Sequence, residues 1–344
     1  MNTSVPFRAL CRLGDYLRKA LAEGDDVLTQ KMLEAYQKNN WFTEPNVRMA
    51  LSELADQLTD AKLSSWLSAY TLDATKTPKR VGVIMAGNLP VVGFHDLVCV
   101  LLSGHVFVGK SASSDAVLPT FLIEQLVSFE PTLAARILLV ERLENVDAVI
   151  ATGSNNTNRY FDYYFGKLPH LFRGNRNSVA LITGKETPEQ MTLLADDIFQ
   201  YFGLGCRSVS KILLPKGYDF GHFYVPMDAY AENIGHHKYA NNYNYQRTVY
   251  ALNAVAFLDN GFLILKEDQA LSSTVSVMNY EYYDTMETAL ELLYSQRDRL
   301  QCVAMAEVPS STIELPFVSF GETQHPGLAD YADGADTLAF LLQI

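Results

Sequence analysis

The sequence predicts an α/β protein in which a helical segment precedes a doubly wound parallel sheet. Residues 4–72 carry apolar side chains three and four positions apart, which is the spacing of amphipathic helices. Beyond residue 79, short apolar runs typical of buried strands alternate with longer helical stretches. This alternation favours a parallel sheet, because neighbouring parallel strands must be joined by a crossover, which is usually a helix.

The helical segment contains four stretches with amphipathic spacing. In order, they are VPFRALCRLGDYLRKALAEG, DDVLTQKMLEAYQKNN, TEPNVRMALSELADQL and LSSWLSAY. Thr43, followed by Glu44 and Pro45, is typical of a helix start, since a threonine side chain can accept a hydrogen bond from the first turn. Asn40 is an alternative start just before it.

Strands and helices then alternate. The predicted strands are RVGVIMAG, HVFVGK, RILLVE, VDAVIATG and NSVALITG, and the longer helices are PVVGFHDLVCVLLSG and DAVLPTFLIEQLVSF. A second mixed region follows, and the closing residues look like a return segment. We therefore predict one domain over residues 1–178, a second over 179–300 and a C-terminal return segment over 301–344.

Charge and composition exclude several classes of protein. Of the 344 residues, 48% are hydrophobic and 19% charged, with a net charge of −12, which argues against a nucleic-acid partner. The tyrosine-rich stretch 238–253 has no basic run beside it, so we interpret it as a polar surface loop leading into a strand. No run of about 18 apolar residues occurs, which predicts no membrane span.

The cysteines and histidines indicate neither a disulfide framework nor a metal site. The four cysteines are far apart in the sequence and form no CxxC pair, which favours a reducing, cytoplasmic location. His236 and His237 are adjacent but lack a third ligand at a fitting distance, so we predict no metal.

One cysteine stands in an unusual setting. In YFGLGCRSVSKILLP, residues 201–215, Cys206 follows Gly203 and Gly205 in a turn between a helical run and a short strand. The glycines free the backbone to turn sharply and let another group approach it. A single cysteine is more often a small core residue than a nucleophile, so the rest of the chain must decide between the two interpretations.

Three further signals precede Cys206 in order. Asn88 follows the first buried strand, and Lys110 ends the second. Thr152, Gly153 and Ser154 form a strand-to-helix turn whose free backbone amides suit a phosphate. The carboxyl ends of strands are where α/β proteins bind their ligands. Taken singly, each signal is weak, because such residues are also common in caps and turns.

In this order the signals resemble those of the aldehyde dehydrogenase superfamily, and more closely those of its LuxC-like acyl-CoA reductases. The stretches that carry the resemblance are WFTEPNVRMAL, AGNLPVVGFHDLVCVLLSGH, FGLGCRSVSKILLP, STVSVMNYEYYD and FGETQHPGLADYADGADT, which span nearly the whole chain. The resemblance implies an aldehyde dehydrogenase-like fold, with a dinucleotide-binding first domain and a catalytic second domain that carries the nucleophile.

The resemblance also implies roles for particular residues. Cys206 matches the family nucleophile, and Asn88 the asparagine whose amide, with the backbone N–H of Cys206, stabilises the oxyanion. Lys110 matches the lysine that holds the adenosine ribose of the cofactor. Thr152, Gly153 and Ser154 match the pyrophosphate turn. The acid that holds the nicotinamide ribose falls on Glu267 or Asp268.

Two departures from the superfamily pattern bear on the reaction. Where hydrolytic members carry a glutamate that activates water, the corresponding residue here is Phe172, which favours a reductase that keeps its thioester from water. Three residues past Lys110, where NAD-preferring members carry another glutamate, stands Ser113, which favours NADPH. Asp115 lies close enough in sequence to supply the missing carboxylate.

The sequence therefore predicts a cytoplasmic, NADPH-dependent reductase that converts an acyl-CoA thioester, with a fatty acyl chain favoured, to the aldehyde through an acyl-cysteine. The alternative is a non-catalytic acyl carrier or scaffold that retains the fold. Acyl-CoA is the expected substrate partner. The prediction includes no nucleic acid, no membrane span and no metal, and it leaves open a homo-oligomer or a partner enzyme.

Overall fold

The computed structural model describes residues 4–72, 77–153, 155–308 and 314–344. The chain forms two compact units. The first unit comprises residues 1–175 with 327–344, and the second comprises residues 176–326.

Twelve α-helices lie in the described residues. They are α1 (Val5–Glu23), α2 (Asp26–Lys38), α3 (Glu44–Gln57), α4 (Asp60–Leu67), α5 (Phe94–Leu102), α6 (Val117–Phe129), α7 (Asn155–Phe165), α8 (Pro188–Phe199), α9 (Phe220–Met227), α10 (His237–Leu252), α11 (Met286–Ser295) and α12 (Thr337–Gln343). In the described ranges, no helix has both the length and the apolar character needed to cross a bilayer.

The described residues also form twelve strands. They are β1 (Arg80–Ile84), β2 (Val106–Lys110), β3 (Ile137–Leu139), β4 (Ala148–Thr152), β5 (His170–Arg173), β6 (Asn177–Leu181), β7 (Val209–Pro215), β8 (Leu258–Asp259), β9 (Ile264–Glu267), β10 (Val277–Tyr283), β11 (Leu300–Met305) and β12 (Phe317–Ser319).

The first unit is built on a five-stranded parallel sheet in the order β3-β2-β1-β4-β5. The chain moves outward from β1 on one side through β2 and β3, and on the other through β4 and β5, as a doubly wound sheet requires. One apolar cluster joins helices α1 to α6 to this sheet and includes Leu10, Leu51, Phe94 and Phe107, each at most 2% exposed. The predicted fold class is thereby confirmed for this unit.

The C-terminal helix α12 packs into the same unit. Leu338 and Leu341 are fully buried in its core, and the Nε2 atom of His105 lies 2.8 Å from the carbonyl oxygen of Leu341. At the carboxyl end of β5, Arg173 donates two hydrogen bonds of 2.8 Å to Asp96 and one of 2.6 Å to Thr337. The last residues of the chain thus complete the core of the first unit.

The second unit is built on a seven-stranded sheet in the order β12-β11-β6-β7-β10-β9-β8. All neighbouring strands are parallel except β8 and β9, which are antiparallel. Strand β7 lies at its centre, and Ile212, Leu213 and Leu214 are at most 1% exposed because the sheet is covered on both faces.

One local prediction was wrong, and one strand was not predicted. Residues 238–253, which the sequence suggested to be a surface loop before a strand, lie almost wholly in α10. The helix is held by Tyr239 and Tyr243, whose side chains are one turn apart and are 1% and 6% exposed. Strand β5 was not predicted; it completes one edge of the first sheet beside β4.

The unit boundaries differ from the predicted ones at the C-terminal side. Strands β11 and β12, which follow residue 300, pair with β6 and with each other in the second sheet. The chain returns to the first unit only at Gly327. A sequence pattern does not show which of two sheets an apolar strand joins, because both sheets offer the same kind of buried position.

Candidate functional site

Three of the predicted site residues lie at the carboxyl ends of adjacent strands of the first sheet. Lys110 is the last residue of β2 and pairs with Ile84, the last residue of β1. Thr152 is the last residue of β4, on the other side of β1. Asn88 lies in the turn that follows β1. The strand order reverses at β1, and this is the position where open parallel sheets bind their ligands.

The turn after β1 packs closely against the segment that follows β2. The N–H of Met85 donates to the carbonyl oxygen of Lys110 at 3.0 Å, and the Ser114 hydroxyl donates to the carbonyl oxygen of Gly87 at 2.7 Å. A Cβ atom on Gly87 would lie 2.4 Å from the Cβ of Ala112, so only glycine fits there. Asn88, one residue on, is exposed.

Lys110 and Ser113 are both exposed at this edge, whereas Asp115 is not. The Asp115 side chain is 4% exposed and accepts the N–H of Val91 at 2.8 Å. Burial raises the pKa of Asp115 to about 7, and the hydrogen bond from Val91 partly opposes this shift. The carboxylate that could have replaced the missing glutamate is therefore buried, whereas Lys110 and Ser113 are exposed.

The turn between β4 and α7 carries the predicted pyrophosphate residues. Thr152 is half-buried, and the N–H of Gly153 donates to the carbonyl oxygen of Arg173 in the neighbouring strand at 3.2 Å. Helix α7 begins at Asn155, and its first backbone amides have no partners within the helix. Ser154 lies outside the described residues.

Cys206 lies in a strained segment of the second unit between α8 and β7. Tyr201 and Phe202 have φ values of 53° and 59°, and Gly203 and Gly205 follow at 74° and 106°. Left-handed aromatic residues cost about 1–3 kcal/mol each and persist only when the surrounding structure holds them. Their side chains are 8% and 9% exposed, so core packing keeps the segment in this shape.

The backbone of Cys206 is anchored to the second sheet. Ser178 of β6, which is fully buried, donates its hydroxyl to the carbonyl oxygen of Cys206 at 2.8 Å. Two residues later, the Ser208 hydroxyl donates to the carbonyl oxygen of Leu204 at 2.9 Å. The cysteine side chain itself is half-buried, so it remains within reach of a reactant.

A loop near the end of the second unit also contacts this segment. The amide of Gln324 donates to the Ser208 hydroxyl at 3.2 Å. The fully buried Asp197 of α8 holds the same loop by accepting the N–H of Gly321 at 2.7 Å and both the N–H and the hydroxyl of Thr323. Sequence reasoning missed Ser178, Asp197 and Gln324 because they act through contacts with distant residues.

The two acids considered for the nicotinamide ribose differ in their surroundings. Asp268 lies 2.5 Å from the Lys266 ammonium group and accepts the N–H of Ala270, and these contacts lower its pKa. Glu267, the last residue of β9, is exposed, and within the described ranges it takes part in no ion pair. Of the two acids, Glu267 is thus the one that is exposed and outside the ion pair with Lys266.

Phe172, which the resemblance placed at the position of the hydrolytic base, and its neighbour Arg173 are the last two residues of β5. The Phe172 ring stacks on His170 with centroids 4.1 Å apart and packs against Phe161 at 5.9 Å. Arg173 is buried in its ion pair with Asp96. Neither side chain provides a carboxylate that could activate water. Among the described residues, no three His, Cys, Asp or Glu side chains lie close enough to bind a metal ion.

Comparison with solved structures defines the class of this fold as that of the aldehyde dehydrogenases. The structure is similar to aldehyde dehydrogenase 21 from Physcomitrella patens, with a TM-score of 0.73 and 14% identity over 100% of this chain and 84% of that one. It is similar to an aldehyde dehydrogenase from Mycobacterium tuberculosis solved with NAD+, with a TM-score of 0.64 and 14% identity over 92% and 78%. It is also similar to an acetylating aldehyde dehydrogenase from Geobacillus thermoglucosidasius, with a TM-score of 0.64 and 12% identity over 96% and 84%.

Residues 30–220 match the family described as Acyl-CoA reductase (LuxC). This match covers more than half of the chain, so the protein belongs to that family, and the resemblance inferred from its motifs is confirmed. Among curated proteins, none matches the sequence. Family membership makes the protein an oxidoreductase that acts at the level of acyl-CoA and aldehyde.

Proposed function

We propose that the protein reduces a fatty acyl-CoA to the aldehyde with NADPH, through an acyl group carried on Cys206. The observation that carries the proposal is the setting of Cys206, a half-buried cysteine on a strained, anchored turn in a chain of this family. Strained backbone of this kind gathers at functional sites, where the fold must fix one geometry.

Acyl transfer requires a nucleophile and a stabilised oxyanion. The Cys206 thiolate attacks the thioester carbonyl and forms a new carbon–sulfur bond; when the tetrahedral adduct collapses, the carbon–sulfur bond to CoA breaks and CoA leaves as a thiolate. The negative charge on the carbonyl oxygen needs preorganised donors, for which we propose the Asn88 side-chain amide and the backbone N–H of Cys206. The hydrogen bond from Ser178 to the carbonyl of Cys206 holds the backbone of the nucleophile in place.

The reductant binds, in this proposal, at the carboxyl edge of the first sheet. An exposed lysine and the N-terminus of α7 at adjacent strand ends fit a dinucleotide, the lysine toward the ribose and the helix amides toward the pyrophosphate. When bound, NADPH supplies the hydride that reduces the acyl group. Glu267 is proposed to hold the nicotinamide ribose.

The choice of NADPH over NADH follows from Ser113 and Asp115. A carboxylate beside the adenosine ribose binds two hydroxyls and repels a 2′-phosphate. Ser113 carries no charge, and Asp115 is buried against Val91, whereas Lys110 is exposed. The same edge therefore attracts a phosphate at the 2′ position.

Retention of the thioester follows from the absence of a base at Phe172. Hydrolysis of an acyl-cysteine to a free acid needs a carboxylate that activates water. The Phe172 ring lies in an apolar cluster with Val149, Ala151 and Phe161. The acyl-cysteine is therefore not hydrolysed before hydride reduces it. The thiohemiacetal that reduction forms then releases the aldehyde and restores the cysteine thiol.

The test is an assay of aldehyde formation from NADPH and acyl-CoAs of increasing chain length. We expect turnover in the wild type and its loss, by at least about 1,000-fold, in Cys206→Ala and Cys206→Ser, because no other group replaces the nucleophile. Cys11→Ala is the matched control: burial raises the pKa of Cys11 to about 11, so it carries no reactive thiolate. Near-normal turnover by Cys206→Ala refutes the proposal, and acylation without any aldehyde would identify a carrier instead.

A further inference from the structure

A buried carboxylate lies against the turn that carries Asn88. Asp115 is 4% exposed, and its Oδ2 atom accepts the N–H of Val91 at 2.8 Å. Its Oδ1 atom makes no hydrogen bond within the described part of the chain. Burying a carboxyl group with only one of its two oxygens hydrogen-bonded destabilises the folded state. Stability therefore does not explain why an aspartate occupies this position.

The group that Asp115 binds is itself strained. Val91 has a φ of 52°, a conformation that a β-branched residue rarely adopts, and its side chain is 7% exposed. Its carbonyl oxygen accepts the N–H of Phe94, the first residue of α5. Val91 thus fixes how the turn after β1 enters the helix, and Asp115 holds Val91 in that conformation.

Both sides of Asn88 are attached to the same short segment. On one side, Gly87 accepts the Ser114 hydroxyl at 2.7 Å and packs tightly against Ala112. On the other side, Val91 donates to Asp115. Asn88 itself is exposed, so its position depends on these two backbone attachments rather than on packing of its own side chain.

We propose that Asp115 is a positioning residue for acyl transfer, which holds the Asn88 backbone in the orientation that the oxyanion requires. This inference rests on the proposed function, since it assumes that Asn88 donates to the oxyanion. The buried carboxylate and the left-handed valine each destabilise the fold. A turn that must keep one shape for catalysis accounts for both, whereas stability alone accounts for neither.

The test compares Asp115→Leu, which has the same branched shape but is larger and has no acceptor, with Asp115→Asn, which keeps an acceptor oxygen for Val91. The readout is release of CoA from octanoyl-CoA in a single turnover without NADPH, so cofactor binding does not enter. We expect acylation to slow by about tenfold or more in Asp115→Leu and to stay within about threefold of wild type in Asp115→Asn.

A double-mutant cycle separates positioning from general damage. When Asn88→Ala has already removed the donor, adding Asp115→Leu should slow acylation less than about twofold relative to Asn88→Ala alone, because no donor is left to orient. Asp147→Leu is the matched control: it removes a carboxylate that accepts the N–H of Arg80 at 2.7 Å, at the opposite end of β1. We expect it to acylate at the wild-type rate.

Folding is checked by circular dichroism, and Asp115→Ala, which adds no bulk, repeats the comparison if the leucine variant does not fold. An Asp115→Leu protein that acylates at the wild-type rate overturns the inference. So does a double variant whose acylation rate is reduced by the product of the two single reductions, because the two residues would then act independently. A wild type that is not acylated at Cys206 refutes the proposed function itself. An Asn88→Ala protein that is acylated at full rate removes Asn88 from the oxyanion site and overturns the inference, while acylation of Cys206 still stands.

Discussion

Ser113 decides, at the scale of single residues, which nicotinamide cofactor the protein is expected to use. Introducing a carboxylate by Ser113→Glu should shift the ratio of kcat/KM values toward NADH by about tenfold, or about 1.4 kcal/mol. The reason is that a glutamate hydrogen-bonds the ribose hydroxyls and repels the 2′-phosphate. The measurement is kcat/KM for NADPH and NADH at one saturating acyl-CoA.

Ser113→Ala serves as the control for this substitution. It removes the hydroxyl without adding charge, so the wild-type preference for NADPH should remain. A wild type that prefers NADH would contradict the cofactor assignment, because Asp115 is buried and offers no carboxylate in its place.

Single residues also show how far the sequence could be read. The glycines around Cys206 predicted a sharp turn, and Gly203 and Gly205 do have positive φ. The same sequence could not predict left-handed Tyr201 and Phe202, because aromatic residues adopt that conformation only when distant packing holds them there. Nor could it show that Asp115 turns inward, since its partner is Val91, in another loop.

At the scale of elements, Asp197 of α8 accepts hydrogen bonds from the loop at residues 320–324, and its titration makes the stability of the folded protein depend on pH. Burial raises its pKa to about 6, against hydrogen bonds from Thr323 and Gly321 that lower it. The folded protein therefore binds this proton more tightly than the unfolded chain does. The contribution of Asp197 to stability should fall as the pH rises from about 4 through 6, and stay level above that range.

The measurement is the free energy of unfolding of wild type and Asp197→Asn at pH 4.5 and pH 7.5. The variant loses an acceptor at every pH, but it does not titrate. Relative to wild type it should therefore gain about 1–3 kcal/mol between the two pH values. A difference that does not change with pH would mean that the carboxylate is ionised in the fold throughout this range.

Elements were predictable where periodicity was strong and local. Helix α3 begins at Glu44, directly after the predicted Thr43, although the Thr43 side chain accepts no capping hydrogen bond. Apolar spacing does not indicate strand β5, because the strand is only four residues long and closely follows helix α7. Its last residue, Arg173, is tied to Asp96, which stands 77 positions earlier, and no local pattern reports such a pairing.

At the scale of the whole molecule, the return of the chain to its first unit should be needed for stability. Leu341 is fully buried in the core of that unit, so Leu341→Ala should cost about 2–5 kcal/mol and lower the Tm of that unit by several degrees. Gln343→Ala, an exposed position on the same helix, is the control and should leave the Tm unchanged. An unchanged Tm in Leu341→Ala would show that α12 is dispensable.

The division of the chain into units was only partly readable from the sequence. The end of the first domain was predicted at residue 178, and the structure places it at Asn175. Strands β11 and β12 join the second sheet rather than the return segment, because β11 pairs with β6, more than 100 positions earlier, and β12 pairs with β11. Such long-range strand pairing leaves no signature in apolar spacing.

The central claim is that Cys206 carries an acyl group that is stable to water and is removed only by reduction with hydride. The most direct measurement is the intact mass of the protein after incubation with octanoyl-CoA, first without cofactor and then with NADPH. We predict a single octanoyl adduct on Cys206 that persists without cofactor, since Phe172 activates no water, and that is discharged as octanal when NADPH is added. An octanoyl adduct that still forms in Cys206→Ala, or steady release of octanoic acid without NADPH, would contradict the account.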